Sequence, residues 1–433
     1  RDHRDGSPHA FHHLGAGYSH LATSHHTRRH GRRIRSELIA GAVACHRPSL
    51  GPVSPTANDQ RPRPGLKWNF YGADVLPAWV AEMDFGLAPE IAAALHAAVD
   101  DGEVTYPHPE LMARTARAAV SFWADRLGWH VDPERVFPAP NVIEGVLRAI
   151  VHLTRPGSPV VLHTPVYHPF FSMVERAGRQ VAAVRCRPDA DGRYRLDLDG
   201  IAAAFDAGAG SIVLCNPWNP TARVFEPGEV EDLVQLAADR GARVIADEVH
   251  APLIRSDLRH TVAATIDPDV VVTVTSASKA WNIPGLKCAQ VVLTRDEDAE
   301  KWAAYFTSDK IGVATLGLVG NAAAYADARG WLDETVERID ANRRLLADLV
   351  AENLPGVRLT QLEGTYLAWL DFTPLGLDQP ADYFLAEARV ALNDGAPFGP
   401  GGEGHVCLNF ATYPGILIEI TTRMGVAAKK LGE

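Results

Sequence analysis

Between about residues 107 and 325, short and almost continuously apolar runs alternate with longer stretches whose apolar residues recur at helical spacing. PVVLHTP, QVAAVRC, SIVLCNP, ARVIADE, VVVTVTS and AQVVLT are the predicted strands. Segments such as EPGEVEDLVQLAADRG, with a glycine just past the last apolar position, are the predicted helices between them. Strands apolar on both faces belong in a mainly parallel sheet covered by helices on each side. The expectation is therefore an α/β protein with a three-layer large domain. Farther on, WLDETVERIDANRRLLADLVAENL (331–354) reads as one amphipathic helix carrying Leu332, Val336, Ile339, Leu346, Leu349 and Val350. VRLTQLEGTYLAWLDF then alternates like a half-buried strand. A smaller α+β domain is expected there, giving four parts. These are an arm at 1–64, a first part of the small domain with a crossing segment at 65–106, the large domain at 107–329, and the rest of the small domain at 330–433. No internal repeat appears.

Composition narrows the classes. The 433 residues are 46% hydrophobic and 22% charged with mean hydropathy −0.08, an ordinary globular balance long enough for two or three cores. A net charge of −11 argues against a general nucleic-acid binder. The first 64 residues differ: they hold nine of the 18 histidines and ten arginines against four acidic residues. Without periodicity, and closed by SPTANDQRPRPG, they read as a disordered basic, His-rich arm. No helix-turn-helix pattern in it supports DNA binding. RRIRSELIAGAVAC looks like a signal-peptide core, but Glu37 and Gly41 interrupt it, so a cytoplasmic protein is expected. No apolar run approaches the ~20 residues that span a bilayer, so no membrane partner is expected. Cysteines 45, 186, 215, 288 and 407 are scattered and form no CxxC pair. They read as free thiols rather than as a disulfide frame or a zinc site.

The unusual polar residues gather just after the apolar runs, where parallel α/β sheets bind their ligands. Asp247 and Glu248 follow ARVIA, and a carboxylate there needs a cationic partner. Asn216 and Asn219 lie in CNPWNPTA after SIVLC. Lys279 follows DVVVTVT, between Ser276, Ser278 and Lys287, a set suited to a phosphate dianion. An acid for a pyridinium nitrogen, an amide for a ring oxygen, a phosphate cup and one reactive amine describe a pyridoxal-phosphate site. Each residue has a plainer reading. A lone lysine is usually solvated, Asp247 could cap a helix, Tyr167 could be core, and the prolines of NPWNP could mark only a turn. FGPGGEG neither follows a clear strand nor opens a helix, and reads as a flexible loop near the site.

The segments LKWNFYGADVLPAWVAEMDF, HTPVYHPFF, CNPWNPTARVF, ADEVHAPL, SASKAWNIPGLKCA, EGTYLAWLDF and DGAPFGPGGEGHVCLNFA together resemble the class I/II aminotransferase superfamily, fold type I. Within it, the likeness is to the cystathionine β-lyase/C–S lyase branch, over residues 65–425. The resemblance implies the aminotransferase-like fold and pyridoxal 5'-phosphate as cofactor. It implies that Lys279 carries the cofactor aldehyde, Asp247 partners the pyridine nitrogen, Asn219 faces the ring hydroxyl and Tyr167 stacks on the ring. Ser276, Ser278, Lys287 and the backbone amides around Val142 and Ile143 match phosphate contacts. His250 stands where many aminotransferases carry a tyrosine near the ring oxygen. Tyr106 in VTYPHP resembles a tyrosine that reaches the neighbouring subunit's phosphate, which implies a homodimer with shared sites.

Two departures matter. Where relatives carry R-L-N, this chain has Cys407-Leu408-Asn409, and NPTG has become NPTA at Ala222. The missing arginine would grip the substrate carboxylate as a bidentate pair. Arg223, Lys67 or backbone amides near Val80 and Ala81 are the candidate substitutes. Phe70, Tyr71 and Trp218 are candidates to line the substrate pocket. The leading expectation is α,β-elimination from an S-substituted L-cysteine, a small cysteine thioether, to thiol, pyruvate and ammonia. Cys407 motivates the alternative, decarboxylation with oxidative deamination of a cysteine conjugate in specialised metabolism. Transamination comes third, and a non-enzymatic regulator last.

Overall fold

The six predicted apolar runs all form strands, and they lie side by side with one more. In a computed structural model that describes residues 65–306 and 312–432, they are β2 (Val160–Thr164), β3 (Val181–Arg185), β4 (Ser211–Cys215), β5 (Arg243–Asp247), β6 (Val271–Thr275) and β7 (Ala289–Val292). The seventh, β1 (Val136–Ala139), was not expected from the sequence. The strand order is β1-β7-β6-β5-β4-β2-β3, with β6 through β3 parallel and β7 antiparallel to both neighbours. The β1 run VFPA is short and contains Pro138, which is tolerated because the strand lies at the sheet edge. The predicted arm at 1–64 lies outside the described residues.

Helices cover this sheet. α1 (Pro109–Leu127), α2 (Val142–Leu153) and α3 (Pro227–Asp239) begin with proline at the first turn or with an Asn141 cap. α2 lies close on β6 and β7 because residue 145 is glycine. A Cβ there would sit 2.8 Å from the Val274 side chain. α4 (Thr315–Ala326) is followed by α5 (Arg329–Asn353), which is the long amphipathic helix read from the sequence.

A second sheet is antiparallel, ordered β8-β9-β11-β10, from β8 (Arg358–Leu359), β9 (Leu367–Asp371), β10 (Asn393–Asp394) and β11 (His405–Asn409). α6 (Pro414–Lys429) packs with α5 beside it. The glycine loop FGPGGEG is tightly folded. A Cβ on Gly402 would meet the Gly395 carbonyl at 2.0 Å, and Val166 N–H donates to the Phe398 carbonyl at 2.9 Å.

One stretch joins the two sheets. Leu76–Pro77 pairs in parallel with Val390–Ala391, and Asn409 N–H donates to the Ala78 carbonyl at 2.9 Å. A few residues on, Met83 exchanges two 2.9 Å hydrogen bonds with the Asn282 side chain, just beyond Lys279. Among the described residues no helix is long and apolar enough to cross a membrane, and no group of three or more His, Cys, Asp or Glu could hold a metal ion.

Candidate active site

Four adjacent parallel strands, β6, β5, β4 and β2, end at one edge, and each delivers a polar residue there. Lys279 follows β6 in a short turn, with Trp281 N–H donating to Ala277 O and Ile283 N–H to Ser278 O. Its Nζ donates to the Ala81 carbonyl at 3.1 Å. Burial lowers the amine to about 8, against the opposing pull of Glu82 and Asp247. About a tenth of it is therefore a neutral nucleophile at pH 7, a far larger share than an exposed lysine offers.

Asp247 is the last residue of β5, in register with Cys215 and Val274. Burial raises its carboxyl to about 7, although Oδ1 accepts the Val249 N–H at 3.1 Å and Lys279 pulls the other way. Tyr167, past β2, is raised to about 12 by burial and then by the Asp247 charge. Its N–H donates to the Asn219 carbonyl at 3.1 Å, tying the β2 and β4 exits together. His250 is buried and held neutral, lowered to about 3 by burial and then by Lys279. Two buried polar atoms here have no partner in the protein: Asn219 Oδ1 and His250 Nδ1. Such orphans are costly unless a ligand completes them.

The Ser276 hydroxyl donates to the Cys288 carbonyl at 2.7 Å and accepts from Ser278 N–H at 2.9 Å, so it shapes the turn. Ser278 is half-buried. Lys287 is exposed and left-handed (φ 54°), and its charge is felt by Lys279. Half-buried Val142 and Ile143 open α2, whose Asn141 cap accepts Glu144 N–H at 3.0 Å. A helix start with unpaired amides favours an anion. Orphaned buried atoms, a destabilised carboxyl, an amine of lowered basicity and an anion-binding helix start fit pyridoxal phosphate. Tyr106 stands apart, 96% exposed on the surface of this chain.

Three candidates prove to be committed elsewhere. Trp218 is fully buried, its ring 4.5 Å from His163 and its Nε1 donating to Pro165 O at 2.7 Å. With no open surface it belongs to the core and lines no pocket. Arg223 pairs with Glu363 at 2.7 Å and also with Glu229, and Lys67 pairs with Asp84 at 3.1 Å, all these pairs out of solvent or nearly so. Those cations already neutralise buried acids and are not available to a substrate. Phe70 and Tyr71 form an aromatic group with Trp79, just before Val80, in which Tyr71 meets both other rings edge-on and Phe70 is tilted on Trp79. Cys407 is completely buried in β11, between Trp369 and Asn393, and burial holds its thiol protonated.

The sequence reading missed Tyr366. It precedes β9, is fully buried, and donates to the same Ala81 carbonyl as Lys279, at 2.9 Å. Its ring lies 5.9 Å from that of His250. Alternation in EGTYLAWLDF assigns it a buried face, but nothing local says that this face meets Lys279.

This arrangement defines an aminotransferase-type site. The chain belongs to the class I and II aminotransferase family, whose pattern it matches over residues 74–414. It is 37% identical over 363 residues to the cystathionine β-lyase of Corynebacterium glutamicum, covering 82% of this chain and 95% of that one. It is 32% identical over 356 residues to the cystathionine β-lyase PatB of Bacillus subtilis, covering 79% and 91%. The crystal structure of cystalysin from Treponema denticola, which contains pyridoxal 5'-phosphate, superposes with a TM-score of 0.79 at 28% identity, covering 85% and 96%.

Proposed function

We propose that the protein is a pyridoxal-phosphate-dependent C–S β-lyase that cleaves S-substituted L-cysteines. The observation that carries this reading is the half-buried Lys279 side chain, its amine lowered to about 8, among Asp247, raised to about 7, and the unpartnered Asn219 Oδ1 and His250 Nδ1. The relatives from Corynebacterium glutamicum and Bacillus subtilis, both cystathionine β-lyases by name, support the reaction class.

Lys279, Asp247, Asn219, His250 and Tyr167 would hold the cofactor ring. Ser278, Lys287, the Ser276 turn and the first amides of α2 would hold its phosphate. When bound, pyridoxal phosphate supplies an electron sink for the charge that develops at the substrate Cα. Asp247, ionised, favours a protonated ring nitrogen and so keeps that sink deep. Lys279 Nζ takes the proton from Cα. The C–S bond then breaks with its electron pair leaving on sulfur, and the released 2-aminopropenoate hydrolyses to pyruvate and ammonia. With Arg223 and Lys67 committed, the amides of Val80 and Ala81 anchor the substrate carboxylate.

The same reading assigns the main sheet and its helices (107–329) to cofactor binding, and residues 65–106 and 330–433 to a smaller domain beside it. It includes a homodimer in which the outward-facing Tyr106 serves the neighbouring subunit's phosphate. It includes a cytoplasmic location, supported by the four free, buried thiols of Cys186, Cys215, Cys288 and Cys407. The buried, neutral Cys407 favours one second reading, decarboxylation of the same substrates, because no guanidinium at that position clamps the carboxylate.

The test is purified enzyme with S-ethyl-L-cysteine. Pyruvate with ethanethiol is the expected result. Carbon dioxide with S-ethylcysteamine, or with the corresponding aldehyde where dioxygen is consumed, would favour the second reading, and keto acid only with an added amino acceptor would overturn both in favour of transamination.

A further inference from the structure

Four consecutive carbonyls, from Trp79 to Glu82, are each caught by a side chain from elsewhere in the chain. Asn393 Nδ2 donates to Trp79 O. Asn409 Nδ2 donates to Val80 O at 2.6 Å and to Glu82 O at 2.7 Å. Tyr366 OH and Lys279 Nζ both donate to Ala81 O, at 2.9 and 3.1 Å. Lys67 Nζ adds a 3.3 Å contact to Glu82 O. Within the stretch, Glu82 N–H closes on Val80 O at 2.8 Å. Among the described residues, the N–H groups of Val80 and Ala81 have no partner.

A trans peptide is planar, so an anchored carbonyl fixes the N–H of the next residue on the opposite side of the plane. Holding Trp79 O and Val80 O from the Asn393 and Asn409 side therefore turns the Val80 and Ala81 N–H groups away from it. Amides already fixed in place bind an anion without the cost of ordering them at the moment of binding. When Lys279 leaves Ala81 to work on cofactor and substrate, Tyr366 alone keeps that carbonyl occupied; this fixes the Ala81–Glu82 peptide, while Asn409 fixes the Val80–Ala81 peptide, so Ala81 is held from both sides. Its hydroxyl hangs from a fully buried ring, and Asn409 is fully buried as well, so neither has freedom to swing away.

We propose that Tyr366 and Asn409 are positioning residues that lock Trp79–Glu82 as a main-chain cradle for the substrate carboxylate, in place of the arginine that Cys407 replaces. The proposal rests on the lyase reading above for the identity of the ligand. It carries a consequence for specificity. A main-chain amide pair holds an amino acid over its decarboxylated amine through directional, charge-assisted hydrogen bonds to the carboxylate, so that discrimination depends on Tyr366 and Asn409 although neither need touch the ligand.

The experiment uses cofactor-loaded enzyme and measures, from the cofactor's absorbance, dissociation constants for S-ethyl-L-cysteine and for S-ethylcysteamine, which lacks the carboxylate. Tyr366→Phe deletes one hydroxyl and keeps the ring. The expected result is an acid about tenfold weaker and an amine unchanged within about twofold, with KM for the acid rising more than kcat falls. Asn409→Ala is expected to act in the same direction and more strongly. If it fails to fold, Tyr366→Phe decides. Equal weakening of acid and amine, or no change in either, overturns the cradle. A wild-type enzyme that releases no thiol overturns the lyase reading separately, since the acid-over-amine comparison is a binding measurement and still decides the cradle.

Discussion

The guanidinium of Arg223 lies 2.7 Å from the carboxylate of Glu363, and both side chains are almost entirely out of solvent. Glu363 also accepts the Val224 N–H at 2.9 Å and meets Arg193 at 2.9 Å. Arg223 thus joins the loop after β4 to the approach to β9. Removing Arg223 leaves Glu363 with Arg193 and the Val224 N–H, so the cost falls below that of a wholly unpaired buried charge, to about 1–3 kcal/mol. Arg223→Met should lower stability by about that amount in urea unfolding. The preference for S-ethyl-L-cysteine over S-ethylcysteamine should stay as in wild type; its loss would show that Arg223 does serve the substrate.

Lys279 predicts a pH dependence of cofactor uptake. Below about 8 its neutral fraction falls about tenfold per pH unit. Uptake of pyridoxal phosphate by cofactor-stripped protein, followed by absorbance, should therefore rise with pH through a midpoint near 8 and level off above it. Lys279→Ala should take up no covalently held cofactor and release no thiol.

Asp247 makes the opposite kind of prediction, about stability. Its carboxyl is about 7 when folded, against an ordinary value of 3.8, so the folded state holds the extra proton between those two pH values. Stability from this group is full below about pH 4 and is lost as pH rises through 7. The loss should be on the order of 2–4 kcal/mol in cofactor-stripped protein. Asp247→Asn should flatten that slope between pH 5 and 7, measured by urea unfolding at each pH, while abolishing efficient catalysis in the loaded enzyme.

Gly317 lets α4 approach the turn that carries Lys287. An added Cβ would stand 2.3 Å from the Leu286 carbonyl and 3.2 Å from that of Lys287. Neither backbone atom can rotate away, so Gly317→Ala should displace the turn at a cost of about 1–3 kcal/mol. Cofactor retention during dialysis should drop with it, because Lys287 moves with its backbone.

Cys407→Arg tests the missing clamp directly. An arginine there should tighten S-ethyl-L-cysteine binding by about tenfold or more and leave S-ethylcysteamine unaffected. Any carbon dioxide among the wild-type products should decline. Unchanged binding and unchanged products would show that position 407 does not bear on the carboxylate.

The six apolar runs were legible as strands because each is continuous and bounded by turn residues, and β1 was not, because VFPA carries neither signal. Lys279, Asp247 and Asn219 were legible as a group because each follows a recognisable strand within a few residues, whereas Tyr167 and His250 entered only through the family resemblance. The lining role expected of Trp218 was wrong for a physical reason: a tryptophan beside the site can just as well fill the core beneath it, and burial distinguishes the two. Glu82 escaped notice as a charge acting on Lys279 because 197 positions separate them in the chain.

Local order in the chain was enough to specify a parallel sheet, the edge where ligands collect, and the amine, acid and amide gathered there. That follows because strand and turn preferences act over a few neighbouring residues, and strand ends carry their side chains with them. Which cations are spent on Glu363 and Asp84, and which hydroxyl shares the Ala81 carbonyl with Lys279, depended on contacts between residues far apart in the chain. Only packing decides those, because a buried donor or charge takes whichever partner the folded chain brings within about 3 Å.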